Sequence, residues 1–236
     1  MSQIIERVEQ NKQRLAPKLR EELARKPLSR LLRRESWPDH ERAQYSPFEV
    51  ALAEGTIPRE AYADLLVQVL PVYRALEERG EALRDDPMAG RVFFPELLRA
   101  DKVERDIVFY LSEGWQAGAT LLPVTIEYVE RVRGGTALQF IAHHYNRYLA
   151  DLSGGLMIAS ALKRAWDLNG DGLLYYDFPE IADPAEWKQN YRAVLDGLPL
   201  DVEGKLDLIG EVMVSYEYNI VMADDLARKH LEPAGA

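Results

Sequence analysis

The sequence predicts an all-α protein, and three features of the chain lead to that prediction. Apolar residues recur at steps of three and four along most of the chain, a spacing that places them on one face of a helix. The clearest run has seven members: Tyr62, Leu65, Leu66, Val69, Leu70, Tyr73 and Leu76. No comparable run alternates with the period of two that marks a β-strand. Proline and glycine cluster in short segments between the apolar runs.

These patterns predict eight helices separated by short loops. In chain order the predicted helices span residues 2–26, with a break at Pro17 left open, then 39–54, 58–85, 101–115, 119–132, 136–168, 184–196 and 200–231. We find no internal repeat and no low-complexity linker. The simplest division is therefore a basic N-terminal helical arm, residues 1–35, followed by one helical domain, residues 36–236.

The composition allows a sizeable core and excludes several classes of protein. Of the 236 residues, 47% are hydrophobic, enough apolar material to bury a core. No stretch approaches the roughly 18 apolar residues of a membrane span, and the N-terminus is too polar for a secretory signal, so we expect a cytoplasmic protein. The chain has no cysteine, which rules out disulfides, thiolate-bound metals and cysteine nucleophiles. Any catalytic metal must be held by histidine, by a carboxylate or by a cofactor.

Charge is unevenly distributed along the chain. The net charge is -10, yet residues 1–34 carry ten Lys or Arg against four acids. The arm is therefore basic and the body acidic, so we do not expect the body to bind nucleic acid. The arm could meet an acidic partner or an anionic ligand, or its charges could simply form a solvated helical surface.

Two adjacent glycines interrupt a predicted helix at the most informative point of the sequence. The segment 143–155 ends in Gly154 and Gly155 and continues into an apolar helical run, 156–166. Each glycine inside a helix costs about 1 kcal/mol relative to alanine. A helix kink or a close helix crossing would explain the pair. So would a flat ligand lying against exposed backbone, and spacing alone leaves both readings open.

The same segment carries a family resemblance. Residues 145–155, Tyr-Asn-Arg-Tyr-Leu-Ala-Asp-Leu-Ser-Gly-Gly, resemble the distal-helix signature of haem oxygenases. Further segments resemble the family in the same order: 73–78, 94–97, 170–179, 187–192 and 216–219. The resemblance covers roughly residues 38–228, and its motifs are specific in combination. It implies a single-domain helical bundle with haem b sandwiched between a proximal helix and a kinked distal helix.

The resemblance also implies an activity and its partners. Haem oxygenases use haem as cofactor and substrate, and cleave it with dioxygen to biliverdin, ferrous iron and carbon monoxide. Nothing in the sequence resembles a flavin or nicotinamide site, so electrons would come from a partner such as a ferredoxin or a flavin reductase. The family pattern does not say which meso carbon of the ring is attacked.

His40 is the iron ligand that the resemblance implies. The family's ligand is a histidine on the first core helix, eight residues before a phenylalanine, and His40 stands in that relation to Phe48. Two features depart from the family. Pro38 should interrupt any helix just before the ligand, and Gln44 stands where an acid commonly accepts the ligand's second ring proton.

The resemblance assigns four residues to the distal side. Two glycine positions of the family's distal helix approach the haem, and they correspond to Ala150 and Gly154. Alanine at the first is a departure that the plant branch of the family shares. Asp151 matches the acid that organises distal water. Arg147 would hold that network in place, although a surface salt bridge is an equal alternative for an arginine at this spacing.

Lys188, Arg192 and Tyr145 match the residues that bind the haem propionates. Anionic propionates need cationic or hydroxyl donors. Lys188 and Arg192 are four residues apart on one predicted helix face, so both can reach the same edge of a ligand. Two solvated cations are the alternative. Arg33 and Arg34 could replace the lysines that the family often places ahead of its ligand.

Two other functions compete with the oxygenase. A haem carrier or sensor would keep the pocket without turnover, and Ala150 is the feature that keeps this alternative open. A helical di-iron oxidase would need Glu-x-x-His pairs on facing helices, and the sequence contains none. His143 and His144 resemble a metal pair, but adjacent helical residues point about 100° apart and do not easily share an ion. We expect one of them to pack within the core.

Overall fold

The computed structural model describes residues 3–232, and its elements are α-helices joined by short helical turns, with no β-strand in that range. The predicted all-α fold is confirmed. The α-helices, in chain order, are α1 (Gln3–Leu23), α2 (Leu28–Glu35), α3 (Trp37–Gln44), α4 (Pro47–Glu54), α5 (Arg59–Ala82), α6 (Ala100–Leu111), α7 (Pro123–Arg133), α8 (Ala137–Ala150), α9 (Leu156–Trp166), α10 (Pro184–Asp196) and α11 (Val202–His230). The predicted arm (1–35) and domain (36–236) include residues 1–2 and 233–236, which lie outside the described range. The division of the chain at residue 35 stays a prediction.

Helix α2 was not predicted, although the sequence contains its signal. Leu28, Leu31 and Leu32 are buried on one face of this eight-residue helix, at the steps of three and four typical of a helix. Prolines at positions 27 and 38 flank the segment. Neither proline interrupts the helix, because Pro27 precedes its first residue and Pro38 belongs to α3.

Two predicted helices are divided in the structure. The predicted helix 39–54 splits into α3 and α4 because Ser46 caps a new helix, its hydroxyl accepting from the backbone N–H of Glu49, and Pro47 fills the first position. The predicted helix 136–168 consists of α8, a π-helical turn at Asp151–Gly155, and α9. Pro17 does not break α1, since packing against α11 along its length holds the helix together.

Two long helices organise the core. α11 has 29 residues and packs against α1, α3, α4, α7 and α8, while α5 has 24 residues and packs mainly against α6 and α7. α10 contacts α2 and the π-helical turn. Within residues 3–232, no helix combines the length and apolarity that crossing a membrane requires.

Candidate functional site

Helix α3 places His40 in its first turn. Pro38 lies at the start of the same helix, where a backbone N–H has no helical partner and none is lost. The sequence predicted that Pro38 interrupts any helix just before His40. The helix is interrupted between α2 and α3, but Pro38 lies at the start of α3 and not in a loop. The N–H of His40 donates to the carbonyl oxygen of Ser36 at 2.9 Å, closing the first turn.

The imidazole of His40 packs against two aromatic side chains and has no hydrogen-bond partner among residues 3–232. It stacks on Trp37, with 4.9 Å between ring centroids, and meets Tyr216 of α11 edge-on at 6.3 Å. Its Nδ1 is buried without a partner. The side chain of Gln44 is exposed and makes no hydrogen bond to it. Burial lowers the pKa of His40, so the ring is neutral near pH 7 and suited to bind a metal ion.

The two adjacent glycines have different surroundings. A Cβ atom built on Gly155 would lie 2.9 Å from the ring of Tyr176, so Gly155 permits a close approach of that ring. A Cβ built on Gly154 meets no described atom within 4 Å. Ala150, Gly154 and Met157 are exposed and follow each other at steps of four and three. They form an exposed strip on one face of the α8–α9 helix, where backbone is accessible at Gly154.

Asp151 is buried directly behind this strip and is held by two tyrosines. Its Oδ2 accepts a hydrogen bond from the hydroxyl of Tyr73 at 2.5 Å, and its Oδ1 accepts one from Tyr175 at 3.0 Å. The two hydroxyl oxygens are 2.9 Å apart. Burial raises the pKa of Asp151, against the opposing charge of Arg147. The carboxyl group can therefore hold a proton more readily than a surface aspartate.

Arg147 lies in the same cluster and does not form a surface salt bridge. Its Nη2 donates to the hydroxyls of Tyr73 and Tyr175 at 2.8 and 2.6 Å, and its Nη1 donates to the side-chain oxygen of Asn219 at 2.8 Å. Arg147 thus reaches Asp151 through the two tyrosines. The four side chains form one continuous polar network, which we call the Asp151 network (Asp151, Tyr73, Tyr175, Arg147).

Tyr73 and Tyr175 were not predicted as site residues. Both lie in segments that resemble the haem oxygenase family, but a tyrosine at helical spacing is usually a core residue. A buried acid from α6 positions Tyr175: Asp106 accepts the backbone N–H groups of Gly172, Leu174 and Tyr175 at 3.2, 3.0 and 2.7 Å. Three backbone donors to one carboxylate fix the loop that delivers the Tyr175 hydroxyl.

Lys188 of α10 contacts the π-helical turn, and Arg192 follows it one helical turn further along α10. The ammonium of Lys188 donates to the carbonyl oxygen of Leu152 at 3.0 Å and to the hydroxyl of Ser153 at 2.8 Å. Burial raises the pKa of Tyr145 to about 12, although the charges of Arg192 and Arg33 act to lower it. The three predicted propionate residues therefore belong to one electropositive region.

His40 joins this region through its neighbours rather than directly. The charge of Arg33 acts on both His40 and Tyr145. Tyr216 meets the His40 ring edge-on, and burial together with the charge of Tyr145 raises the pKa of Tyr216. No hydrogen bond or ring contact within residues 3–232 links His40 to the π-helical turn. The structure thus assembles Asp151 with Arg147, and Tyr145 with Arg192, as separate groups around the turn.

The other two helical histidines serve the core. The Nδ1 of His144 is 2.9 Å from the hydroxyl of Tyr191, the two rings stack, and burial lowers its pKa to about 3. His143 is fully buried, with its Nε2 3.0 Å from a carboxylate oxygen of Glu211. One of the two was expected to pack within the core, and in the structure both do.

These features suit a flat, anionic, metal-containing ligand. His40 offers a neutral imidazole with an unpartnered buried nitrogen, Gly154 offers open backbone, and Lys188 and Arg192 offer positive charge. Haem combines a flat ring, a metal ion and two carboxylates, so the residues present fit it. Fold and site together define an all-helical haem-binding protein.

Comparison with known proteins gives the family. The family model described as Heme oxygenase matches residues 26–225. Heme oxygenase 1 of Synechocystis sp. is 29% identical over 211 residues, covering 88% of each chain, and Heme oxygenase 1 of Rattus norvegicus is 33% identical, covering 84% of this chain and 71% of that protein. The crystal structure of the Synechocystis protein in complex with heme superposes with a TM-score of 0.82, covering 86% of this chain and 94% of that one. The chain belongs to the haem oxygenase family.

Proposed function

We propose that this chain is a haem oxygenase that binds haem b and cleaves it to biliverdin, ferrous iron and carbon monoxide. The Asp151 network is the observation that carries this proposal. A haem carrier needs a ligand and a pocket, but it has no use for a buried acid held beside exposed backbone by two tyrosines and an arginine. An oxygenase needs such a group, because oxygen chemistry consumes protons at a defined place.

Each predicted site residue has a role in this proposal. His40 would bind the iron, and the strip at Ala150 and Gly154 would lie against the ring. Lys188, Arg192 and Tyr145 bind the propionates and set the rotation of the ring. When bound, haem supplies the metal that binds dioxygen and the ring carbon that is oxidised.

The remaining chemistry belongs to the protein's own groups. Asp151 can hold a proton on its carboxyl group, and the hydroxyls of Tyr73 and Tyr175 each donate a hydrogen bond to that group. Arg147 donates to both hydroxyls, so their lone pairs are directed toward the arginine and their protons toward Asp151. The hydrogen bonds of the network therefore run from Arg147 through the two tyrosines to Asp151, which is the group placed to deliver a proton to the ligand. Electrons come from a separate partner, a ferredoxin or a flavin reductase, in the cytoplasm.

A haem carrier or sensor is the second candidate, and Ala150 is the observation that favours it. Ala150 stands on the same exposed strip as Gly154, so its methyl group adds bulk to the face that would cover the ring. In that case the pocket would bind haem while oxygen chemistry at the iron would be hindered.

A single-turnover experiment decides between the two. The haem complex is mixed with dioxygen and a chemical reductant, and its Soret absorption is followed together with the visible absorption of a bilin. We expect loss of the Soret band and formation of biliverdin. A haem complex that stays intact under these conditions would establish the carrier.

Two histidine variants test the iron ligand in the same assay. His40→Ala should lose the histidine-ligated haem spectrum and keep its helical content, since His40 has no hydrogen bond to lose. The matched control is His230→Ala, which removes a histidine bound to Asp64 on α5 and should leave the haem spectrum unchanged. An unaltered spectrum in His40→Ala would assign the iron to another ligand.

A further inference from the structure

The basic arm of the sequence is bound to α11. Three of its cations form ion pairs with that helix: Arg7 with Glu217, Lys12 with Asp207, and Arg20 with Glu203. Apolar side chains of α1 are buried in the same interface. The family model matches residues 26–225, so the whole of α1 lies outside the matched part of the chain.

One of these pairs differs from the others because its acid is buried. The side chain of Glu217 is only 4% exposed, whereas those of Asp207 and Glu203 are more than half exposed. A buried carboxylate needs a partner for each of its oxygens. Oε2 of Glu217 accepts from Arg7 of α1, and Oε1 accepts from Arg42 of α3 at 2.5 Å. Glu217 therefore joins α1 to the helix that carries His40.

Helix α3 depends on such contacts more than its neighbours do. It has eight residues, and its one buried residue is Asp39, so little apolar burial fixes its position. Arg42 is the link: it binds Glu217 and lies 3.7 Å from an oxygen of Asp39. The neighbouring residue on α11, Tyr216, meets the ring of His40 edge-on. Two consecutive residues of α11 thus contact α3: Tyr216 packs against His40, and Glu217 binds Arg42.

We propose that Glu217 is a positioning residue for His40, and that α1 contributes to this positioning through Arg7. The Arg7–Glu217–Arg42 cluster holds α3 against α11 and so fixes the direction of the imidazole. The proposal rests on the proposed function, in which His40 binds the iron. Glu217 touches neither His40 nor the haem site, and acts through Arg42 and the backbone of α3.

The experiment measures the iron–histidine bond rather than turnover. The iron–histidine stretching band of the ferrous haem complex is recorded by resonance Raman, and haem affinity is measured by titration. Glu217→Gln should shift and broaden the band and weaken haem binding about tenfold, since Arg42 loses its charged partner. Arg7→Gln should shift the band in the same direction with roughly a threefold loss. Arg7→Lys, which keeps the charge, should restore most of the wild-type band.

Arg20→Gln is the matched control. It removes an exposed pair between the same two helices, so it should leave the band and the affinity unchanged. Wild-type bands in Glu217→Gln and Arg7→Gln would overturn the positioning role, as would an equal shift in Arg20→Gln. Should Glu217→Gln fail to fold, Arg7→Gln decides, because that side chain is 57% exposed. A wild-type complex without any iron–histidine band would instead refute His40 as the ligand.

Discussion

Glu211→Gln should lower the free energy of unfolding, and the loss relative to wild type should become smaller as the pH falls. Glu211 is buried on α11 and accepts two hydrogen bonds from Arg131 of α7, at 2.9 and 2.7 Å, while His143 of α8 lies 3.0 Å away. Burial alone would raise the pKa of Glu211, but His143 and Arg131 together lower it to about 2. The residue thus ties together three helices, one of which carries Tyr145 and Arg147.

The magnitude follows from the change in pKa between the unfolded and folded states. Lowering the pKa from 4.5 to about 2 corresponds to about 3 kcal/mol of folding free energy, within the range measured for breaking buried ion pairs. Because the folded value is depressed, this stability is fully present above 4.5 and is lost as the pH falls through about 2. By the same relation, about 2 kcal/mol remains near pH 3.5.

Urea unfolding of wild type and Glu211→Gln, at a series of pH values from about 7 to about 3.5, measures this difference. The gap in unfolding free energy should narrow by about 1 kcal/mol over that range. Glu203→Gln is the control, because its carboxylate is on the same helix but exposed and should show no resolvable change. A gap that stays constant with pH would refute the reasoning, since a neutral loss of packing has no such dependence.

Two further predictions concern the π-helical turn. Asp151→Asn should bind haem normally but form bilin about 100-fold more slowly, because the proton-delivering acid is gone. The variant should also show peroxidase activity toward hydrogen peroxide and a phenol. Asp171→Asn is the control, and bilin formation at an equal rate in the two variants would remove Asp151 from catalysis. Gly154→Ala should keep its melting temperature and bind haem more weakly, whereas Gly155→Ala should lose about 1–3 kcal/mol of stability from overpacking against Tyr176. Calorimetry and haem titration of both variants check this pair, and equal melting temperatures would contradict it.

Helical periodicity was enough to predict the fold class, because every long helix buries a stripe at steps of three and four. Helix α10 was predicted at the residues where it occurs, since Asp183 and Pro184 form a clear start signal. Helix α2 was missed because its apolar stripe is short and stands between two prolines. The glycine pair indicated either a helix kink or a ligand contact at the π-helical turn, and spacing alone could not distinguish the two.

The candidate site was only partly predictable, for a different reason. His40, Asp151 and Gly154 belong to local motifs, so a family resemblance identifies them. Tyr73 belongs to an apolar helical stripe, and nothing local indicates that its hydroxyl meets a carboxylate 78 residues further along the chain. The same holds for Arg7 and Glu217, which are 210 residues apart. Contacts between distant polar groups are set by the packing of the helices that carry them.

The π-helical turn explains how one short segment can serve both a ligand and the protein interior. Asp151, Leu152 and Gly155 face inward, while Ser153 and Gly154 face outward. A widened turn leaves backbone carbonyls without regular helical partners, and Lys188 donates to the carbonyl of Leu152. A lysine ammonium has three protons, and the contacts to Leu152 and Ser153 use two of them. Under the proposed function the third would donate to a propionate, so Lys188 would stabilise the turn and orient the ligand at the same time.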